Sequence, residues 1–213
     1  MFFCLVEKCE NPLKNFRILV SVFCLMCHFQ NSEAQDKAST EYRASRTRYI
    51  DLIHTKLEVS FDWKKQHLHG IATLDLMPYF FPQSDVVLDA KGMDINSVSL
   101  LNDSVESTLT FEYSADQLTI DLGKEFQRTD TISIKIDYLA KPNERKLGGS
   151  DAIKSDKGLY FINPLNEEKN KPQQIWTQGE TESNSAWFPT IDSPNERCTQ
   201  EMYITVDDKF ITL

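Results

Sequence analysis

Ile132, Ile134, Ile136 and Tyr138 recur at every second position, with Ser133, Lys135 and Asp137 between them. A period of two is the spacing of a β-strand with one face buried and one face wet, and no helix keeps it. The same alternation recurs along the chain. Leu57, Val59, Phe61 and Trp63 alternate with Glu58, Ser60 and Asp62. Lys64-Lys65-Gln66-His67 then turns the chain, and Ile71, Leu74 and Leu76 continue as a second strand. Further strands are expected at 86–88 and around Val98, Leu100 and Leu101. Others are expected at Leu109, Phe111 and Tyr113, at Leu118, Ile120 and Leu122, at 158–162, and at Met202, Ile204 and Val206. Residues 114–117 read as a turn. Turn signals roughly every 8–12 residues, with no long amphipathic helix after the leader, predict an all-β antiparallel sandwich and exclude a parallel α/β fold. The alternation resumes at Phe210, and the chain is expected to end within a strand, leaving the sandwich incomplete at its C-terminus.

Before the first strand the texture differs. Residues 18–27 read ILVSVFCLMC, ten positions without a charge, preceded by Lys14 and Arg17. Ser32-Glu33-Ala34 places small residues where a signal peptidase needs them. The run is too short to cross ~30 Å of hydrocarbon as a helix. Residues 1–34 are therefore expected to be a secretory leader, with Gln35 as the new N-terminus and export to the periplasm or medium. No transmembrane helix is expected after cleavage. Cys27 offers a lipoprotein alternative, although Cys24, Leu25 and Met26 fit a lipobox poorly. Residues 35–47 are polar and read as a flexible entry segment, and residues 48–213 as the folded domain. Four of the five cysteines precede residue 28, so only Cys198 remains, read as a buried thiol, and no disulfide framework is available.

Charge and composition narrow the function. A formal net charge of −9 excludes a basic surface for nucleic acid. His54, His67 and His69 are the only histidines after the leader, and no Cys, His or Glu stands at ligand spacing to them. His67 and His69 read as surface residues of a hairpin. No catalytic residue and no metal ligand is expected in this chain, and no cofactor.

Residues 177–194 read TQGETESNSAWFPTIDSP. Gln178 and Glu180 are two apart, so an extended backbone points both the same way. A carboxylate and an amide oxygen projecting together suit an ammonium group. The same pairing is also what a solvated strand face carries. Gly179 between them would let the backbone approach a ligand closely. Eight residues after Glu180 stands Phe188, then Pro189, Asp192 and Pro194.

This string resembles the N-terminal domain of the aminopeptidase N and leukotriene hydrolase superfamily of zinc metallopeptidases, which carries Thr-Gln-x-Glu, then Phe-Pro, then Asp-x-Pro. Residues 49–61 resemble that domain's first strand, 70–76 its Gly-x-x-x-Leu-x-Leu second strand, and 158–160 the Gly-Leu-Tyr before the motif. The resemblance covers about residues 49–213. It implies that Gln178 and Glu180 bind the free α-amine of a peptide. The family often has Arg five positions after the Glu; Ser185 stands there, which bears on local packing more than on amine binding. The family's HExxH and Gly-x-Met-Glu-Asn motifs are absent from this sequence. The resemblance therefore implies the N-terminal part of an exported zinc aminopeptidase. Its zinc, and the domain holding it, would lie elsewhere in a longer polypeptide. A free-standing secreted sandwich that binds peptide or carbohydrate is the alternative; the aromatics are not arranged as a clear sugar platform, although Trp63, Trp176 and Trp187 leave that use open.

Overall fold

A computed structural model describes residues 46–102, 105–114, 116–145 and 156–212. The expected leader lies outside them, as does all but the end of the flexible entry segment. Among the described residues there are eleven strands: β1 (Ile50–Asp62), β2 (His67–Pro78), β3 (Gln83–Asp89), β4 (Met93–Asn102), β5 (Val105–Thr108), β6 (Thr110–Ser114), β7 (Gln117–Phe126), β8 (Ile132–Ala140), β9 (Leu159–Ile162), β10 (Gln174–Thr177) and β11 (Thr199–Thr205). The one helical element among the described residues is a single 3-10 turn at Asn184–Ala186. The all-β expectation holds, and no described helix is long and apolar enough to cross a membrane.

Three sheets form. The largest runs β11-β1-β2-β8-β4-β5, the second β3-β7-β6, and the third is the β9–β10 pair. Period-two patterning explains their faces. In β8, Ile132, Ile134, Ile136 and Tyr138 are buried, while Ser133, Lys135 and Asp137 lie on the other side. Across the register, Leu74 faces Ile134 and Ala72 faces Ile136. Val86 and Leu88 of β3 and Leu118, Ile120 and Leu122 of β7 join the same core from the second sheet. Burying a dozen such aliphatic side chains, at about 1.5–3 kcal/mol each, supplies the main force that closes one sheet on the other.

The structure corrects several details. The large sheet is mixed, not purely antiparallel, because β11 runs parallel to β1, with Leu57 opposite Met202. Ile71 falls on the outer face of β2, and Ala72 takes the inward place. His67 is not a surface residue: it is 8% exposed, and its Nε2 lies 2.6 Å from Oε1 of Glu144. Burial of an imidazole in this way needs such a partner. His69, by contrast, is exposed. Cys198 is only half-buried. Among the described residues no strand follows β11; Phe210 stacks on Trp63 at 4.7 Å.

Candidate functional site: the strand end at Gln178 and Glu180

β9 and β10 form a short antiparallel ladder, with Trp176 opposite Tyr160 and Thr177 opposite Leu159. Leu159 and Phe161 are buried, which fixes the inner face of the ladder. Trp176 and Tyr160 therefore lie on the outer face. The ladder extends one step beyond the strand, because Gln178 N–H donates to the Gly158 carbonyl at 2.8 Å. Gln178 is thus two residues from Trp176 on the same outer side.

The structure brings the two sequence-predicted residues together. The Gln178 side-chain amide donates through Nε2 to Oε2 of Glu180 at 3.3 Å, and both residues are exposed. They meet on an irregular strand end rather than within a regular strand. The bond leaves the Gln178 amide oxygen and the second Glu180 oxygen without a partner in that contact, and both are groups that can accept from the N–H groups of an ammonium. Gly179 also serves the loop behind it. A Cβ at that position would lie 2.5 Å from the side-chain oxygen of Asn184, so the absent side chain makes room for Asn184.

Behind the pair, a latch unread in the sequence holds the following loop. Ser183 N–H donates to the Gly179 carbonyl at 2.9 Å, closing the turn. Ser185 donates twice to Oδ2 of Asp192, from its amide at 2.8 Å and from its hydroxyl at 2.7 Å. Ser185, at the position where the family often has Arg, thus hydrogen-bonds the Asp of Asp-x-Pro. Asp192 N–H in turn donates to Oδ2 of Asp89 at 3.0 Å, and Thr190 bridges Asp89 through both backbone bonds. Lys91 adds its amide to the Ser185 carbonyl at 2.7 Å and its Nζ to the Glu182 carbonyl at 2.5 Å. The turn that carries Asp89 and Lys91 is itself clamped by Tyr113, whose hydroxyl donates to the Ala90 carbonyl and accepts from Met93 N–H. Burial raises the Tyr113 pKa above its ordinary value, keeping the phenol a neutral donor. Trp187 and Phe188 sink into the core beneath, which pins the loop from below.

Among the described residues, no group of three or more His, Cys, Asp or Glu is disposed to hold a metal ion. His54 lies beside Thr199 and Glu201, and His67 beside Glu144, far apart along the large sheet. These residues do not fit a zinc site.

Residues 47–213 match the peptidase M1 N-terminal domain family. The chain belongs to that family. The fold is also similar to part of several solved structures. The M1 zinc metallopeptidase from Deinococcus radiodurans shares 18% identity over 74% of this chain and 32% of its own, with a TM-score of 0.57. Native yeast LTA4 hydrolase shares 18% over 83% of this chain and 26% of its own, with a TM-score of 0.58. A further structure shows the Deinococcus enzyme bound to a Tyr-Ser-Ala substrate, 17% identical over 76% of this chain and 34% of that one. At such identity the likeness establishes the fold, and this chain spans about a third or less of each neighbour's length. No curated protein matches the chain in sequence.

Proposed function

We propose that this M1 N-terminal domain is the substrate-anchoring part of an exported zinc aminopeptidase, and that Gln178 and Glu180 hold the free α-amine of the peptide. The observation that carries the reading is the exposed Gln178–Glu180 pair, hydrogen-bonded at 3.3 Å on a latched strand end. An aminopeptidase must tell a free amine from an internal amide. An acidic group that an ammonium satisfies and a neutral amide leaves unpaired makes that distinction. In this chain the pair faces water, where a single charge contact is worth little. Its strength in the enzyme comes from a catalytic domain of the same longer polypeptide, which would cover the pair and exclude water. Zinc, and the water it activates, would belong to that domain; this domain binds and orients. M1 family membership and a structural neighbour that takes a Tyr-Ser-Ala substrate support a peptide as the ligand. Residues 1–34 would direct export, and mass spectrometry of secreted protein should find Gln35 at the N-terminus; intact Met1 found only in the cytosol would reject this.

The test is made on the polypeptide that joins this domain to a catalytic domain. Glu180→Ala removes a charge-assisted bond worth ~1.5–3 kcal/mol, so kcat/KM on aminoacyl-anilides should fall roughly 10- to 150-fold. Gln178→Ala, losing a neutral partner, should cost less, and bound zinc should stay constant in both. A Glu180→Ala enzyme within about twofold of wild type would refute the anchor.

A further inference from the structure

Trp176 is 46% exposed, whereas Trp187 is 5% exposed and Trp63 is half-buried beneath Phe210. Its indole lies flat on Tyr160, with ring centroids 4.4 Å apart and planes 14° from parallel. The stack is a rigid plate, because cross-strand pairing fixes both backbones and each ring limits the other. One face of the β9–β10 ladder therefore carries an aromatic plate followed, two residues on, by Gln178, whose side-chain amide is hydrogen-bonded to Glu180. Residues at i and i+2 on a strand are ~6.6–7 Å apart. That is the scale on which the α-amine and the side chain of one amino-acid residue diverge.

We propose that the Tyr160–Trp176 stack is the wall on which the side chain of a peptide's N-terminal residue lies, so that the domain favours large apolar and aromatic first residues. The proposal rests on the amine-anchor reading and adds the substrate class to it. Charge complementarity selects this occupant. An ammonium on Glu180 fixes one end of the residue, and the adjacent plate meets whatever projects from the same Cα. An aromatic side chain gains offset stacking on the plate beyond the area it buries. An alanine side chain is too short to reach it. The alternative platform use, a sugar stacked on indoles, would need several exposed rings in line, and of the three tryptophans only Trp176 is substantially exposed.

The experiment compares Phe-, Leu- and Ala-anilides on the longer polypeptide that carries both this domain and the catalytic domain. In Trp176→Ala, kcat/KM for the Phe substrate should fall about tenfold or more relative to the Ala substrate, mainly through KM. Trp176→Phe should keep most of the preference. Trp176→Leu, which preserves packing on Tyr160 without the flat ring, should give an intermediate ratio, so the outcome does not depend on the alanine variant folding. Equal losses for Phe and Ala substrates, or an unchanged ratio in all three variants, would overturn the wall. So would oligosaccharide binding that disappears in Trp176→Ala while the substrate ratio stays fixed. Glu180→Ala separates the two readings. If it weakens all substrates together while the Trp176 variants leave the ratio unchanged, the wall alone fails. If it changes nothing, the anchor fails and the wall with it.

Discussion

Gly158 shows how narrowly single residues hold the site. Its φ is +69°, and a Cβ added there would sit 2.0 Å from the Ser183 carbonyl oxygen and 3.0 Å from Cδ1 of Trp187. Its own carbonyl accepts from Gln178. Gly158→Ala therefore meets both a left-handed backbone and a backbone atom that cannot step aside. It should cost about 2 kcal/mol or more, read as a lowered midpoint in thermal or urea unfolding. An unchanged midpoint would show that the loop at Ser183 is free to move. At this scale, the closeness of Gln178 and Glu180 was legible because their spacing is local. Ser185 on Asp192 was not: their meeting depends on the 3-10 turn at Asn184–Ala186, which no alternation announces. His67 was misread for the same reason, since its partner Glu144 lies in a distant segment.

The loop between β10 and β11 has only one 3-10 turn, at Asn184–Ala186, yet it is tied down at Asp89, Lys91 and the core. Asp192 is the hub, accepting twice from Ser185 and donating to Asp89. Asp192→Ala strands the Ser185 amide, leaves the Ser185 hydroxyl only the Glu182 carbonyl at 3.4 Å, and should destabilise the loop by about 2 kcal/mol. Amide hydrogen exchange at Ser185 and Thr190 should accelerate well before the β2–β8 core does. Exchange that rises equally everywhere would mean that Asp192 supports the whole sandwich and not the loop. Ser185→Ala, which keeps the amide bond, should have a smaller effect at the same positions. Among the strands, the phase of β1 near Leu57 and Val59 and that of β8 were legible, because each alternates without interruption. The phase shifts between Leu52 and His54, and between Ile95 and Ser97, were not. A bulge inserts one residue against a partner strand, and its position is set by that partner. The parallel pairing of β11 with β1 was hidden likewise, since alternation carries no sign of strand direction.

For the whole molecule, the sequence sufficed for an all-β fold and for the family, while the order of the sheets came only from pairing. That order leaves β11 at the edge of the six-stranded sheet. All seven of its residues are exposed, including Met202, Tyr203 and Ile204. β11 hydrogen-bonds to β1 on one side, and its other side presents a row of backbone donors and acceptors. An exposed, fairly long edge carrying apolar side chains is a template for pairing with another chain. The opposite edge, β5, is four residues long and carries Glu106 in an ion pair with Lys135, which makes it the poorer template. The 213-residue chain should therefore self-associate through β11 as its concentration rises, and sedimentation velocity should show species larger than a monomer. Two variants locate the contact. Ile204→Lys places a charge on the edge, where strand addition would have to desolvate it, and should shift the distribution toward monomer without lowering the unfolding midpoint. Val105→Lys on β5 should leave the distribution as it was. A sharp, reversible, monomeric unfolding transition at high protein concentration, unaffected by Ile204→Lys, would show instead that the edge is protected as it stands.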